Sequence, residues 1–169
     1  MYINLYTNQT ERRIYEVIAD SALHLGFSIV RIRLSRKNIA SNLQVPVAHS
    51  DNKQKVTLSD CAQITHHIKL LIEVNNLLPK FNLEVSSAGI NRPLTRSEDF
   101  MDYIGSPVKI KAFTDVVLDR GAPSRVCLGT ILSASEESVK ITLEDGKSVE
   151  VAFSNIKEAS LDHDISTML

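Results

Sequence analysis

The chain has 169 residues, 43% of them hydrophobic, and a formal net charge of −1. That length holds one ordinary domain or two small ones, and the hydrophobic fraction excludes a disordered chain. No apolar run approaches the roughly 20 residues of a membrane-spanning helix, and Met1 to Thr10 lacks the basic-then-apolar order of a signal peptide.

The two cysteines, Cys61 and Cys127, sit one in each half and read as reduced core thiols of a cytosolic protein. The small net charge hides an asymmetry. Residues 1–92 carry 11 Lys and Arg against 7 Asp and Glu, whereas residues 93–169 carry 8 against 13. A basic half suits phosphates and an acidic half suits a basic protein. A split of this size also arises by chance, and charge counting alone leaves both readings open.

Asn8 to Leu25 reads as a helix. Asn8 caps it with Glu11 at capping-box spacing, Ile14, Val17, Ile18, Ala22 and Leu25 form its apolar stripe, and Gly26 ends it. Phe27 to Leu34 is the first expected strand, with Val30, Ile32 and Leu34 on one face and Arg31 and Arg33 on the other beside Phe27 and Ile29. Arg36 and Lys37 follow, making this the densest basic cluster in the chain. It serves either to meet phosphates or to guard a solvated sheet face or edge. Leu43, Val45 and Val47 alternate as a second strand, and Pro46, which has no N–H to donate, places it at a sheet edge. His49 to Lys55 is a charged loop. Thr57 with Asp60 starts another helix by the acidic capping-box variant, with Cys61, Ile64, Ile68, Leu71 and Ile72 inward. His66 and His67 point about 100° apart on that helix and do not share a metal. The strand Phe81 to Ser86 closes the first half.

Residues 1–92 thus read α-β-β-α-β, a three-stranded sheet with two helices on one face and a bare opposite face. Residues 93–169 begin with a short helix capped by Thr95 or Ser97, running through Tyr103 and ended by Gly105. Short strands follow. Val108, Ile110 and Ala112 line the first; Val126, Leu128, Thr130 and Leu132 the second; Val139, Ile141 and Leu143 the third. Asp145-Gly146 is a hairpin signal, Val149, Val151 and Phe153 line a fourth strand, and Ile156, Ala159 and Leu161 mark a fifth. About five short strands with tight turns point to a small closed barrel. Asp115 to Ser124 reads as its long loop and Asp162 to Leu169 as a weakly docked tail.

The stretch Leu83 to Leu94, LEVSSAGINRPL, joins the halves. A strand runs into small Ser87, Ala88 and Gly89, then Asn91, Arg92 and Pro93, a stiff polar elbow carrying one guanidinium. This stretch resembles the signature of the RimP family of bacterial ribosome maturation factors, in Leu83, Glu84, Val85, Ser86, Ser87, Gly89, Arg92, Pro93 and Leu94. Ala88 stands where the family usually has proline. The capped helix followed by Gly26-Phe27, and the helix start Leu58-Ser59-Asp60-Cys61, fit the same family, so the resemblance covers most of the chain. It implies an α+β protein whose all-β part is an SH3-like or Sm-like barrel. It also implies a non-catalytic, monomeric cytoplasmic factor that binds the immature small ribosomal subunit, and no cofactor. An Sm-like regulatory RNA-binding protein is the alternative.

The residues agree with a binding role. Ser86 and Ser87 lack the glycine of a nucleophile elbow, and the sequence has no phosphate-binding glycine loop, dinucleotide fingerprint or cysteine–histidine metal spacing. The expected subunit- and RNA-binding residues are Arg31, Arg33, Arg36, Lys37, Ser86, Ser87, Gly89, Asn91 and Arg92; those for a basic protein partner are Asp115, Asp119 and Arg120. Arg92 is open to two roles: it holds an anion beside the serine hydroxyls and backbone N–H groups, or it pairs with an internal carboxylate such as Glu84 or Asp99 as a clamp. Exposure separates the two.

Overall fold

A computed structural model of the chain describes residues 2–51, 54–89, 91–116 and 123–162, and of Lys37 the backbone alone. The chain forms two compact units: Leu5–Ala88, and the described residues of Gly89–Leu169 together with those of Met1–Asn4.

The first unit lays two helices on a four-stranded sheet. Helix α1 (Gln9–His24) starts where the Asn8 side chain accepts from the Glu11 N–H at 2.9 Å. Helix α2 (Leu58–Val74) starts at a reciprocal capping box in which Thr57 N donates to Asp60 and Asp60 N donates to the Thr57 hydroxyl. Strands β1 (Phe27–Ile29) and β2 (Arg33–Lys37) both run antiparallel to β3 (Ala40–His49), and β4 (Phe81–Ser87) runs parallel to its other side. Ile14, Ile18 and Ala22 of α1 and Ile64, Ile68 and Ile72 of α2 bury against Leu43, Val45 and Val47. The order is therefore α-β-β-β-α-β, one strand more than expected.

Two expectations are corrected. Phe27–Leu34 is not one strand. Residues 30–32 lie outside the strands: Val30 still donates to β3, but Ile32 N donates to Leu5 O at 2.8 Å. The break shifts the alternation by one, so Phe27 and Ile29 share the core with Ile32 and Leu34, and Arg31 and Arg33 do not share a face with Phe27 and Ile29. Pro46 is not on an edge strand either, because β3 is central. Val30 N donates to Pro46 O at 2.9 Å. The nitrogen and oxygen of one strand residue face the same side, so the donor that proline lacks falls at the gap between β1 and β2.

The second unit opens with α3 (Ser97–Asp102). Its start is held by Asp99, whose carboxylate accepts from Thr95 N at 2.9 Å and Arg96 N at 3.0 Å. The antiparallel sheet that follows comprises β5 (Pro107–Val116), β6 (Ser124–Ala134), β7 (Ser138–Thr142), β8 (Ser148–Ala152) and β9 (Ile156–Leu161), in the order β8-β7-β6-β5-β9. Among the described residues no ladder joins β8 to β9, so the strand path is open. A single 3-10 turn, Phe153–Asn155, links those two strands. Val108, Ile110, Val139, Ile141, Val151, Phe153, Ile156 and Leu161 are buried, with Phe100 against Phe153 at a centroid distance of 5.2 Å.

Strand β6 is turned the other way from the expected face. Cys127, Gly129 and Ile131 are inward, while Val126, Leu128 and Leu132 are outward. Gly129 favours this phase: a Cβ on it would lie 2.5 Å from the Thr142 carbonyl oxygen, so β6 and β7 meet there only without a side chain. Strand β5 extends to Val116, which puts Asp115 on a strand rather than in the long loop.

Candidate nucleic-acid and protein interfaces

The basic cluster of the first unit is divided by its surroundings. Glu11, expected only as a capping residue, is 1% exposed. Its carboxylate accepts from Thr7 N at 2.6 Å, from the Thr7 hydroxyl at 2.8 Å and from Leu34 N at 2.8 Å. It thereby ties the start of α1 to β2. Arg33 joins the same knot. Its Nη1 donates to Ile32 O at 2.6 Å and lies 3.8 Å from Glu11 Oε2. Arg31 is half-buried, and Arg36 is exposed on the last part of β2 beside Lys37. The sheet face away from the helices carries a polar ladder, with Arg33 opposite Gln44 on that face. Asn82 donates to Asn42 at 3.0 Å, and Gln44 lies beside Glu84 at 3.4 Å.

The residues of the elbow divide between the two units. Ser86 and Ser87 are exposed at the end of β4 in the first unit, whereas Gly89, Asn91 and Arg92 belong to the second. Gly89 has φ +77° and is exposed, a backbone angle that favours glycine. Arg92 is only 7% exposed. Its Nη1 donates to the Tyr103 hydroxyl at 3.2 Å, its Nη2 lies 3.7 Å from Asp99 Oδ1, and the guanidinium sits 5.7 Å from the Tyr103 ring centroid. This is the internal carboxylate pairing of a clamp, built within the second unit.

On the second unit, Asp115 is exposed and lies 3.3 Å from Arg125 Nε; Asp119 and Arg120 lie outside the described residues. A different surface stands out there. Val126, Leu128 and Leu132 form an exposed apolar row on β6, with Phe113 of β5 exposed as well. A concavity beside the row is lined by Val126, Leu128, Leu143, Glu144 and Asp145. Sequence reasoning missed this surface, although β6 carries its signal: large apolar residues fall in both phases of the alternation, at Val126 and Leu128 and at Cys127 and Ile131.

The titrating groups show no activated nucleophile among those that shift. Burial pushes the thiols of Cys127 and Cys61 up, away from thiolate, and at Cys61 the charge of Asp60 adds to it. Asp60 is held below the usual carboxylate range by the Thr57 backbone N–H and hydroxyl, with His49 adding to the effect. Among the described residues no three metal-ligating side chains cluster, and no helix is long and apolar enough to cross a membrane. Residues 13–91, which run from the second turn of α1 through β4 and stop short of Arg92, match the family model of the RimP N-terminal domain.

Proposed function

We propose, on the premise that the chain belongs to the RimP family of ribosome maturation factors, that it binds the immature small ribosomal subunit in the bacterial cytoplasm and promotes its maturation without catalysis. The observation that carries this reading is the RimP N-terminal domain at residues 13–91. The family is one of non-enzymatic assembly factors that act on the small ribosomal subunit. Such a factor works by differential binding: it stabilises one arrangement of RNA and protein over others and then leaves.

In this reading residues 1–92 meet rRNA phosphates and residues 93–169 meet a basic ribosomal protein. Exposed Arg36, with Lys37 beside it in the chain, supports the first contact; the excess of 13 acidic over 8 basic residues in the second half supports the other. We read the second unit as a small SH3-like or Sm-like barrel. A four-strand meander, a fifth strand returning beside the first, and a 3-10 turn before it are the parts such a barrel requires. A ring of Sm-like copies is less consistent with the outer side of β9, which is occupied within the chain: Leu94 N donates to Ala159 O and Leu161 N to Arg92 O, both at 2.9 Å. A monomer follows. The test is deletion of the gene, read by sucrose-gradient profiles and rRNA end mapping. Accumulation of precursor small-subunit rRNA is expected; normal levels of mature small subunits would overturn the reading.

A further inference from the structure

The outer face of β6 has no counterpart in the division of labour above. A strand covered on one face alternates apolar with polar, yet β6 is apolar on both faces. Cys127 and Ile131 fill the core, while Val126, Leu128 and Leu132 remain 40% to 51% exposed. Phe113 on neighbouring β5 is 56% exposed. An exposed apolar row of this kind, interrupted only by Thr130, marks a surface that something covers.

The charges around it are arranged by side. Toward the β7–β8 turn, Glu144 and Asp145 rim the concavity floored by Val126, Leu128 and Leu143. Toward β5, Lys111 is opposite Val126 and Lys109 opposite Leu128, with Lys111 held 3.5 Å from Glu158. An apolar floor with carboxylates along one lip accepts an apolar segment whose lysines or arginines lie on that lip, since their stems pack on the floor and their charged ends reach the acids.

We infer that the outer face of β6, from Val126 to Leu132, is the docking surface for a segment of a basic ribosomal protein, with Glu144 and Asp145 receiving its cations. This rests on the small-subunit reading and moves the protein contact from the Asp115 region to the β6 face. Val126 and Leu128 are the anchors, because they alone border both the row and the concavity.

The test uses the full chain against two probes, precursor small subunits stripped with salt and individually purified basic proteins of the small subunit. The combined Val126→Thr and Leu128→Ser variant is expected to weaken binding to precursor subunits about tenfold, and Glu144→Lys about threefold. Binding to one purified ribosomal protein should fall in parallel. All three side chains are exposed, so melting temperatures should match the parent; Leu128→Ala replaces the double variant if it melts early. Parent-like binding of these variants to subunits overturns the inference and leaves the small-subunit reading standing. Failure of the parent itself to bind precursor subunits overturns both. Loss of subunit binding with no loss toward any purified ribosomal protein, or with conversion of a dimer to a monomer, also overturns it, in favour of RNA or a second copy on this face.

Discussion

Replacing Glu11 with alanine tests whether the first unit is held by a buried carboxylate rather than by helix capping alone. The side chain is 1% exposed and accepts from two backbone N–H groups and one hydroxyl. Removing it leaves Leu34 N without its acceptor inside the fold, whereas the donors of exposed Thr7 find water. A hydrogen bond to a charged group contributes about 1.5–3 kcal/mol, so the Leu34 bond dominates and the Thr7 bonds add a smaller share. The ion pair with Arg33, 3.8 Å away on a side chain 25% exposed, adds under about 1 kcal/mol after screening. The expected loss is about 3 kcal/mol, a large part of the roughly 5–15 kcal/mol that holds a domain. Urea unfolding followed by far-ultraviolet circular dichroism reads it as a lower midpoint at unchanged slope. Glu11→Gln, which keeps one acceptor oxygen, should lose about half as much by the same hydrogen-bond reasoning. A loss under about 1 kcal/mol for Glu11→Ala would refute the knot as a structural tie.

Gly129→Ala should destabilise the second unit by about 1–3 kcal/mol, because the new methyl meets backbone rather than a side chain that can swing away; thermal unfolding checks it, and a parent-like melting temperature contradicts it. Asp99→Ala should cost about 3 kcal/mol by taking the carboxylate from the buried Arg92 guanidinium and the acceptor from two backbone N–H groups; denaturation of Arg92→Ala, Asp99→Ala and the double variant should show them coupled, and strict additivity would count against the clamp. Asp60 has its folded value lowered below the ordinary 3.8, first by the Thr57 backbone N–H, so its contribution is present above that value and lost as pH falls through the folded one; Asp60→Asn, which removes the titrating carboxyl, should flatten the acid limb of the stability curve below about pH 4, seen by unfolding across pH. Arg36→Glu should weaken binding to precursor subunits and reduce the salt slope by about one for the lost cation; an unaltered slope removes the β2 cluster from the RNA contact.

The elements were legible where polarity chose the phase. In β3 the apolar Leu43, Val45 and Val47 alternate with Asn42 and Gln44, so only one face could be buried, and it is. Both helix starts were readable because a capping signal is local: Asn8 with Glu11, and Thr57 with Asp60, make their contacts within one turn. In β6 apolar residues occupy both phases, so periodicity could not choose, and the choice falls to a close approach between Gly129 and Thr142 that only the fold creates. The split of Phe27–Leu34 was hidden for a related reason. Both Ile29 and Val30 are apolar, and the slip between them is set by Leu5, 27 residues earlier than Ile32 in the chain, which takes the Ile32 N–H. The surroundings of the candidate site residues were least legible, because a count of arginines says nothing about which carboxylate each one faces.

On the proposed reading, this bears on how the chain would grip RNA. Counterion release needs cations that reach phosphate. Arg33 faces Glu11 and backbone carbonyls, and Arg92 is buried against Asp99 and Tyr103, so on this reading neither is the first cation to reach a phosphate. The excess of 11 basic over 7 acidic residues in the first half therefore overstates the charge it can offer. Each phosphate contact contributes about −0.7 to −0.9 to the slope of log affinity against log salt, and few such contacts give a weak, readily reversed hold. For the proposed factor, which would have to leave the subunit, a shallow electrostatic grip would be an advantage, but it would not by itself select one RNA–protein arrangement. Selection then falls to contacts that salt barely touches, and the apolar row on β6 is of that kind.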